Sequence, residues 1–424
     1  MIRLLTTGRL PLILHILLAL VLGLGIDGTT AFYTHILFGQ FNRWLPIGIV
    51  ALLIACLSYP PKTKKRNNKK ASENKIKLSP GDTWGLLTLG LLAIPLAISA
   101  HYYPLGGWDA WSCWSLKAKF IFLGQENWKD VLSPGLWRSN THYPLLWPLI
   151  NVWFCDLAGH FDQNIPMLNS LVIAMLTAGI LLFGLLELTG MLWISLSAAV
   201  LVAALPFNIT LFTSQYSDAL LGLFLLSAFV SLLLAEKYGL PKLKILSMIF
   251  LGLMSFTKNE GLITAGITAM LIFWHERSRK KELKSLIFIF FLACLPTIIF
   301  TIFFAPKNEA FINGLLSADK PTNFSRLVII LVYPWFELIS GKWNGFWFLV
   351  LGGALLSGKR LWQSSCGMIG LCILLYLGVV MAYYAVNTFF EIGWWLQTTL
   401  SRILFALIPT VALWIGLGLK PMAV

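Results

Sequence analysis

Asp109 lies in the segment Gly106-Gly107-Trp108-Asp109-Ala110-Trp111-Ser112-Cys113-Trp114, with tryptophans on both sides of it. A carboxylate within hydrogen-bond reach can take the proton of an attacking hydroxyl or amine. The cations Lys117, His142, Lys258 and Arg402 are the residue types that hold an anion where charge develops on a leaving group. A base together with such cations suits a displacement in which an anion departs. Tryptophans favour the bilayer surface, so a carboxylate between them points to a substrate carried by a lipid.

Such residues must be positioned by membrane helices, because composition leaves little else. The chain has 424 residues, of which 58% are hydrophobic and 12% charged. Soluble domains carry about 25% charged residues. Repeated apolar stretches of about 17–25 residues read as membrane-spanning helices. The sequence therefore predicts an all-α polytopic membrane protein of about 11–13 transmembrane or re-entrant helices. The first apolar stretch, Leu10 to Ile26, has no clear cleavage pattern after it and reads as a retained helix.

The net charge of +14 is not a nucleic-acid signal. It gathers in two short runs, Lys62 to Lys77 and Arg277 to Lys284. Short basic loops stay in the cytoplasm and can touch anionic headgroups. Arg3 and Arg9 place the N-terminus inside. Helices at roughly 10–26 and 43–59 then lead out and back, and one at roughly 82–100 leads out again. Residues 1–80 thus form two N-terminal helices and a cytoplasmic basic loop, and residues 81–424 form the larger membrane domain. Its outer loop, 101–143, carries Asp109. Trp108, Trp111, Trp114, Ala118 and Ile121 form a row expected on the lipid side of an interfacial helix. Asp109, Cys113 and Lys117, spaced by four, are expected on another side, with Asp109 and Lys117 facing one aqueous pocket.

Counting crossings leaves one too many between residues 143 and 206. Making the stretch 144–160 re-entrant or interfacial, as its two prolines allow, removes the excess. Residues 245–274 begin and end beside basic loops and break at Thr257-Lys258-Asn259-Glu260-Gly261, which reads as a hairpin. Residues 326–340 are expected along the surface. The six cysteines have no metal-like spacing; Cys113 and Cys155 are close enough in this trace for a disulfide to stay open.

On this trace Asp109, Lys117, His142, Asp218, Lys258, Glu260, Glu391 and Arg402 converge on the outer face. Ionisable groups at membrane depth are costly and tend to be functional. Each also has a structural reading. Asp218 could cap a helix, Lys258 and Glu260 could be an ion pair at a hairpin tip, and Arg402 could snorkel to headgroups. His142 could be an ordinary interfacial histidine, and Asp109 a surface acid beside anchoring tryptophans.

Taken in order, these motifs resemble a family. An acid in the first long outer loop is followed by His142-Tyr143-Pro144-Leu145-Leu146-Trp147-Pro148, then Tyr216-Ser217-Asp218, then Phe256-Thr257-Lys258-Asn259-Glu260-Gly261, and finally Trp394-Trp395 through Arg402. The pattern is similar to the GT-C glycosyltransferases, specifically the bacterial relatives of protein O-mannosyltransferases and of the lipid A aminoarabinose transferase (glycosyltransferase family 39-like). It covers roughly residues 80–410 by motif order. The resemblance implies a GT-C-like catalytic domain over 81–424, in the inner (plasma) membrane, with its site facing the periplasm or exterior. It implies a polyprenyl-phosphate sugar as donor and a lipid, glycan or protein as acceptor. It matches Asp109 and Asp218 to the catalytic acids, and Lys258 to the hairpin tip. Arg402, Lys117 and His142 are then further donor-phosphate ligands, with Glu260, Glu391 and Trp108 in support. The paired acids of the family's first loop are reduced here to Asp109 alone, which leaves a divalent cation open; no other cofactor is expected. The chain has no P-loop and no Rossmann glycine motif. The rival reading is a transporter or a lipid or polysaccharide flippase, which predicts broken helices in corresponding places in two halves. The sequence displays one broken hairpin.

Overall fold

A computed structural model describes residues 10–42, 44–45, 47–48, 79–316 and 324–420. Arg3, Arg9, most of the expected second helix and the first basic loop lie outside the described residues, so the division at residue 80 stands on sequence alone. Every regular element among the described residues is helical. Six helices are long and apolar enough to cross a membrane, or up to eight if each of two bent pairs is one span. This is the polytopic architecture expected from composition.

Helix α1 is Leu12–Phe38 and α2 is Pro80–Tyr102. A π-turn at Ala110–Trp114 leads into α3, Ser115–Gly124. The short α4, Leu146–Ala158, precedes α5, Asn164–Thr189. Helices α6 (Leu192–Ala203) and α7 (Pro206–Thr213) form one span bent by 63°. Next come α8 (Ser217–Tyr238), α9 (Pro241–Ser255) and α10 (Asn259–His275). Helices α11 (Lys280–Ala293) and α12 (Leu295–Phe303) form a second span, bent by 44°. The chain closes with α13 (Glu309–Leu316), α14 (Phe324–Ile339), α15 (Phe346–Ser357), α16 (Ser364–Val386) and α17 (Ile392–Gly418).

Helix α1 runs twelve residues beyond its expected end at Ile26. Three of its polar residues there, Thr30, Thr34 and His35, bond to carbonyls of the helix itself. Thr30 Oγ1 donates to the Ile26 carbonyl and Thr34 Oγ1 to that of Ala31. By contrast α2 has a full capping box, with Ser79 and Asp82 each accepting from the other's backbone N–H.

Charged contacts gather one end of the bundle. Lys237 and Tyr238 at the end of α8 both reach Glu187 near the end of α5. Ser365 at the start of α16 donates to Glu236. Lys244 of α9 pairs with Glu276 at 2.7 Å and with Glu282 of α11 at 3.2 Å. Asp218 stands at the other end of α8, about 27 Å of helix from Glu236, close to the thickness of a hydrocarbon core of about 30 Å. Helix α9 therefore leaves the basic end, turns at Phe256–Lys258, and α10 returns, as the hairpin reading expects. The chain enters α4 and leaves it at the same end: Leu146 N–H donates to the Phe256 carbonyl, and Asn151 meets Asn169 early in α5. The re-entrant or interfacial reading of 144–160 fits this path.

Two expectations need correction. Residues 326–340 do not lie along a surface. Arg326 donates to the carbonyls of Tyr384, Asn387 and Phe390, whereas Glu337 accepts from Ser401. Helix α14 therefore descends beside α17, carried there by an arginine at one end and a buried acid at the other. The hairpin is also not the one broken element, since the α6–α7 and α11–α12 spans are bent at the residues just before Pro206 and Pro296.

The spans pack closely enough for single glycines to matter. A Cβ on Gly222 of α8 would lie 2.7 Å from the Ala406 carbonyl oxygen of α17, whereas one on Gly23 of α1 would meet nothing within 4 Å. Gly222→Ala is expected to cost about 1–3 kcal/mol, read as a lower unfolding temperature in detergent. Gly23→Ala, which relieves the helical penalty of glycine, should leave it equal or higher. Equal behaviour of the two variants would contradict the packing described.

Candidate functional site

Five ionisable side chains from four parts of the chain meet at the end of the bundle opposite the basic run Arg277–Lys284. Arg402 Nη1 donates to Asp109 Oδ2 at 2.6 Å. Its Nε and Nη2 donate to Asp218 Oδ2 at 3.1 and 2.9 Å. Lys258 Nζ lies 3.1 Å from Asp218 Oδ1 and 3.2 Å from Glu260 Oε1. The signs alternate from Asp109 through Arg402, Asp218 and Lys258 to Glu260. The central side chain, Asp218, is 4% exposed, while the two ends, Asp109 and Glu260, are 25% and 26% exposed. The row is closed at its centre and open at both ends.

Local sequence explains the meeting. Asp218 is in the first turn of α8, where the helix dipole favours a negative charge. It does not cap the helix; both its oxygens are taken by Arg402 and Lys258. Asp109 is brought alongside by Gly106 and Gly107. Gly106 has φ +69°, and its Cβ would lie 2.6 Å from the Ser214 carbonyl oxygen. A Cβ on Gly107 would sit 2.3 Å from the Tyr216 hydroxyl. Gly107 N–H donates to Ser214, and Gln215, itself at φ +59°, donates from Nε2 to the Pro104 carbonyl. Trp147 Nε1 fastens the Gln215 carbonyl from α4. At the hairpin, a Cβ on Gly261 would lie 2.2 Å from the Met254 carbonyl oxygen, so glycine permits the tight turn that presents Lys258.

The tryptophan row does not hold together. The π-turn at Ala110–Trp114 shifts the register of the helix, as single π-turns at functional sites do. Trp114, Ala118 and Ile121 are buried, whereas Trp108 and Trp111 are exposed and meet edge to face at 4.3 Å. Trp114 instead stacks on Tyr143, with ring centres 5.7 Å apart. Lys117 likewise turns inward: it is fully buried and donates to the Asn140 carbonyl at 2.7 Å. It shares no aqueous pocket with Asp109. Burial pushes its pKa down, which makes it a poor phosphate anchor. His142 is half-buried beside Tyr143. Burial, and then repulsion by Lys117, push its pKa down to about 4, so it carries no positive charge near neutral pH. Glu391 is exposed and caps α17 by accepting from the backbone N–H groups of Gly393 and Trp394. It stands about three helical turns before Arg402 and apart from the row.

Sequence reasoning passed over the tyrosines. The Tyr216 ring lies under the Arg402 guanidinium at 4.3 Å, and the Tyr143 ring lies 5.8 Å from both Lys258 and Lys117. Both were neighbours of residues singled out, and a ring next to a cation was the available signal. A second polar group was also missed. Buried Glu337 accepts from Lys342, from Trp343 Nε1 at 3.1 Å and from Ser401 at 2.9 Å, one residue before Arg402. An acid and a base five residues apart in an apolar stretch were its trace in the sequence.

Among the described residues no group of three or more His, Cys, Asp or Glu side chains could hold a metal ion. Asp218 has no free oxygen, which removes the acid nearest to Asp109 from such a set. Cys113 and Cys155 are buried free thiols, not a disulfide, and Cys113 donates to the Ser139 carbonyl. No protein-family model matches the chain, and comparison with curated proteins and with solved structures finds no match.

Two outcomes follow from this geometry. Arg402→Ala leaves Asp218 and Asp109 facing each other without their shared cation, a loss of about 3–5 kcal/mol by the usual cost of orphaning a buried charge. Arg402→Lys keeps the charge but loses the fork that spans two carboxylates, and should unfold between the alanine variant and the parent. If lysine matches arginine, the fork does not hold the site. For His142, the unfolded chain takes up a proton near pH 6.5 and the folded chain only near 4. Stability should therefore fall as pH drops from about 6.5 towards 4. His142→Gln should flatten that fall in unfolding temperatures measured across the range; an unchanged slope would show that His142 is not its source.

Proposed function

We propose that this chain is a GT-C-type glycosyltransferase that moves a sugar from a polyprenyl-phosphate carrier to an acceptor at the non-cytoplasmic membrane face. The observation that carries the reading is the state of the Asp109 carboxylate. Oδ2 is fixed by Arg402, while Oδ1 receives no bond from the described residues and lies at an open end of the charged row. A base so held is aimed but not used up. In the reaction, an acceptor oxygen or nitrogen attacks the anomeric carbon and its proton passes to Asp109. The bond from that carbon to the phosphate oxygen breaks, and its electron pair leaves with the lipid phosphate. Three of the five N–H donors of Arg402 face carboxylates, which leaves two for the departing phosphate. Lys258 stands next to it. Asp218 is a positioning residue, because both its oxygens are engaged.

The side of the membrane follows from charge. Arg277 to Lys284, Lys359 and Arg360 lie at the end away from Asp109, and basic loops stay in the cytoplasm. The site then faces the exterior or periplasm of the inner membrane, where lipid-linked sugars reach it along the outer leaflet. Exposed Trp108, Trp111, Tyr102, Tyr103 and Trp394 form an aromatic rim at that end, as expected at a lipid–water interface.

The bent α6–α7 and α11–α12 spans favour a second reading, a transporter or flippase, since transporters place broken helices around their sites. The two readings differ in product. Membranes containing the protein are supplied with a labelled polyprenyl-phosphate sugar, and the label is followed. Glycosyl transfer yields label covalently attached to an acceptor, whereas a flippase moves intact donor across the bilayer. Asp109→Asn, which keeps shape and removes the base, should lower transfer by about 10²–10⁴-fold at unchanged protein level. Near-normal turnover in that variant would sink the assignment of Asp109.

A further inference from the structure

Asp109 forms one end of the charged row, and Glu260 forms the other. Glu260 Oε1 pairs with Lys258 at 3.2 Å. Its second oxygen, Oε2, is buried and has no hydrogen-bond partner. Buried polar atoms are satisfied in the great majority of cases, and an exception calls for an explanation. An unbonded carboxylate oxygen is an acceptor only, and it can be met only by a group that brings an N–H or O–H to it.

Tyrosines gather at this end. Of the charges that act on the hydroxyls of Tyr376 of α16 and of Tyr143, before α4, that of Glu260 is the strongest. It also acts on Tyr383 and Tyr384, two turns further along α16. The four hydroxyls differ in how they are used. That of Tyr383 accepts from Asn387 Nδ2 at 3.0 Å, and that of Tyr384 meets the Thr399 hydroxyl. Those of Tyr143 and Tyr376 bond to nothing among the described residues, although Tyr376 is buried. The Tyr143 ring is nevertheless fixed, stacked on Trp114 and 5.8 Å from Lys258 Nζ. Two hydroxyls and a carboxylate oxygen, from three parts of the chain, thus stand at one end of the row, and none of them satisfies another.

We propose that Glu260 Oε2 and the hydroxyls of Tyr143 and Tyr376 form the subsite for the donor's sugar ring, and that this ring is uncharged. The inference rests on the reading of a polyprenyl-phosphate sugar as donor. A sugar hydroxyl both gives and accepts a hydrogen bond. One such group donates to Glu260 Oε2, and others exchange bonds with the two tyrosines, so each unmet atom gains a partner of the right kind. The place also fits the donor. Lys258, which stands ready for the lipid phosphate, is paired with Glu260, so a sugar joined to that phosphate comes within reach of Glu260. A sugar bearing a carboxylate would set two like charges together in a setting of low dielectric. The two ends of the row then divide the work: Asp109 meets the acceptor, and Glu260 reads the donor.

The test measures affinities by calorimetry for the full chain in detergent micelles. The probes are bare polyprenyl phosphate, its glucose, galactose and mannose derivatives, and its glucuronate derivative. At least one neutral-sugar carrier should bind about tenfold or more tightly than the bare carrier, and the glucuronate carrier should bind no tighter than the bare one. Tyr143→Phe and Tyr376→Phe each remove a hydroxyl that the chain itself does not use, so the unfolding temperature should hold. Each should cut the sugar's advantage by about two- to tenfold, the range of a neutral hydrogen bond, with bare-carrier affinity unchanged. Glu260→Gln should cut that advantage by about five- to tenfold, while the bare carrier binds as well or better because Lys258 is released from its pair. If the bare carrier binds and no neutral sugar adds affinity, the subsite is overturned and the donor reading stands. The subsite also falls if the sugar's advantage survives all three variants, if they weaken bare and sugar-bearing carriers alike, or if the phenylalanine variants unfold more easily. Preference for the glucuronate carrier overturns the uncharged class. Failure of every carrier to bind overturns the donor reading and the subsite with it.

Discussion

Asp218 is the residue around which this structure is arranged. It is an almost fully buried carboxylate in an apolar bundle, and such a charge is tolerated only when its lone pairs are taken up. Arg402 and Lys258 take them up, one from a helix and the other from the turn between two more. Satisfying this one acid therefore draws together the start of α8, the α9–α10 turn and the middle of α17. Asp109 and Glu260 then join from outside, each through a cation already recruited. The alternation of sign keeps like charges from being neighbours, which a low-dielectric setting would penalise heavily.

The open ends of the row are what give it chemical reach. A fully closed network would be a structural strut. Here the buried centre is spent on position, and the half-exposed Asp109 retains an unengaged oxygen. Tyr216 lies against the guanidinium, and Gly106 and Gly107 allow the outer loop to press onto the start of α8. Small residues and rings thus do the steering, while the charges supply the potential.

Much of this was legible in the sequence. The fold class followed from composition, the hairpin from a polar break between two apolar arms, and the convergence of Asp109, Asp218, Lys258 and Arg402 from counting crossings. What failed did so for physical reasons. Helical spacing could not foresee the π-turn that sends Trp114 and Lys117 inward while Trp108 stays out. Hydropathy could not tell a descending α14 from one lying flat, because either places apolar side chains against apolar surroundings. Only the contacts of Arg326 with the segment leading into α17, and of Glu337 with α17 itself, settle it. Glu391 looked like a member of the site because the count of crossings put it on the same outer face as Arg402, yet three turns of helix separate them.

Those two contacts of α14 have a metrical consequence. Arg326 grips the Phe390 carbonyl and Glu337 grips Ser401; residues 326 to 337 and residues 390 to 401 both span eleven positions. Helix α14 is thus tied at matched intervals to α17 and to the residue that precedes its N-cap, one segment serving as a ruler for the other. One residue gained or lost in this stretch of α17 would swing the Arg402 guanidinium through about 100° about the helix axis, and α14 would no longer fit. Compensation would require the same change in both helices at once. The direction in which the guanidinium points is therefore set by a length shared between two segments more than sixty residues apart.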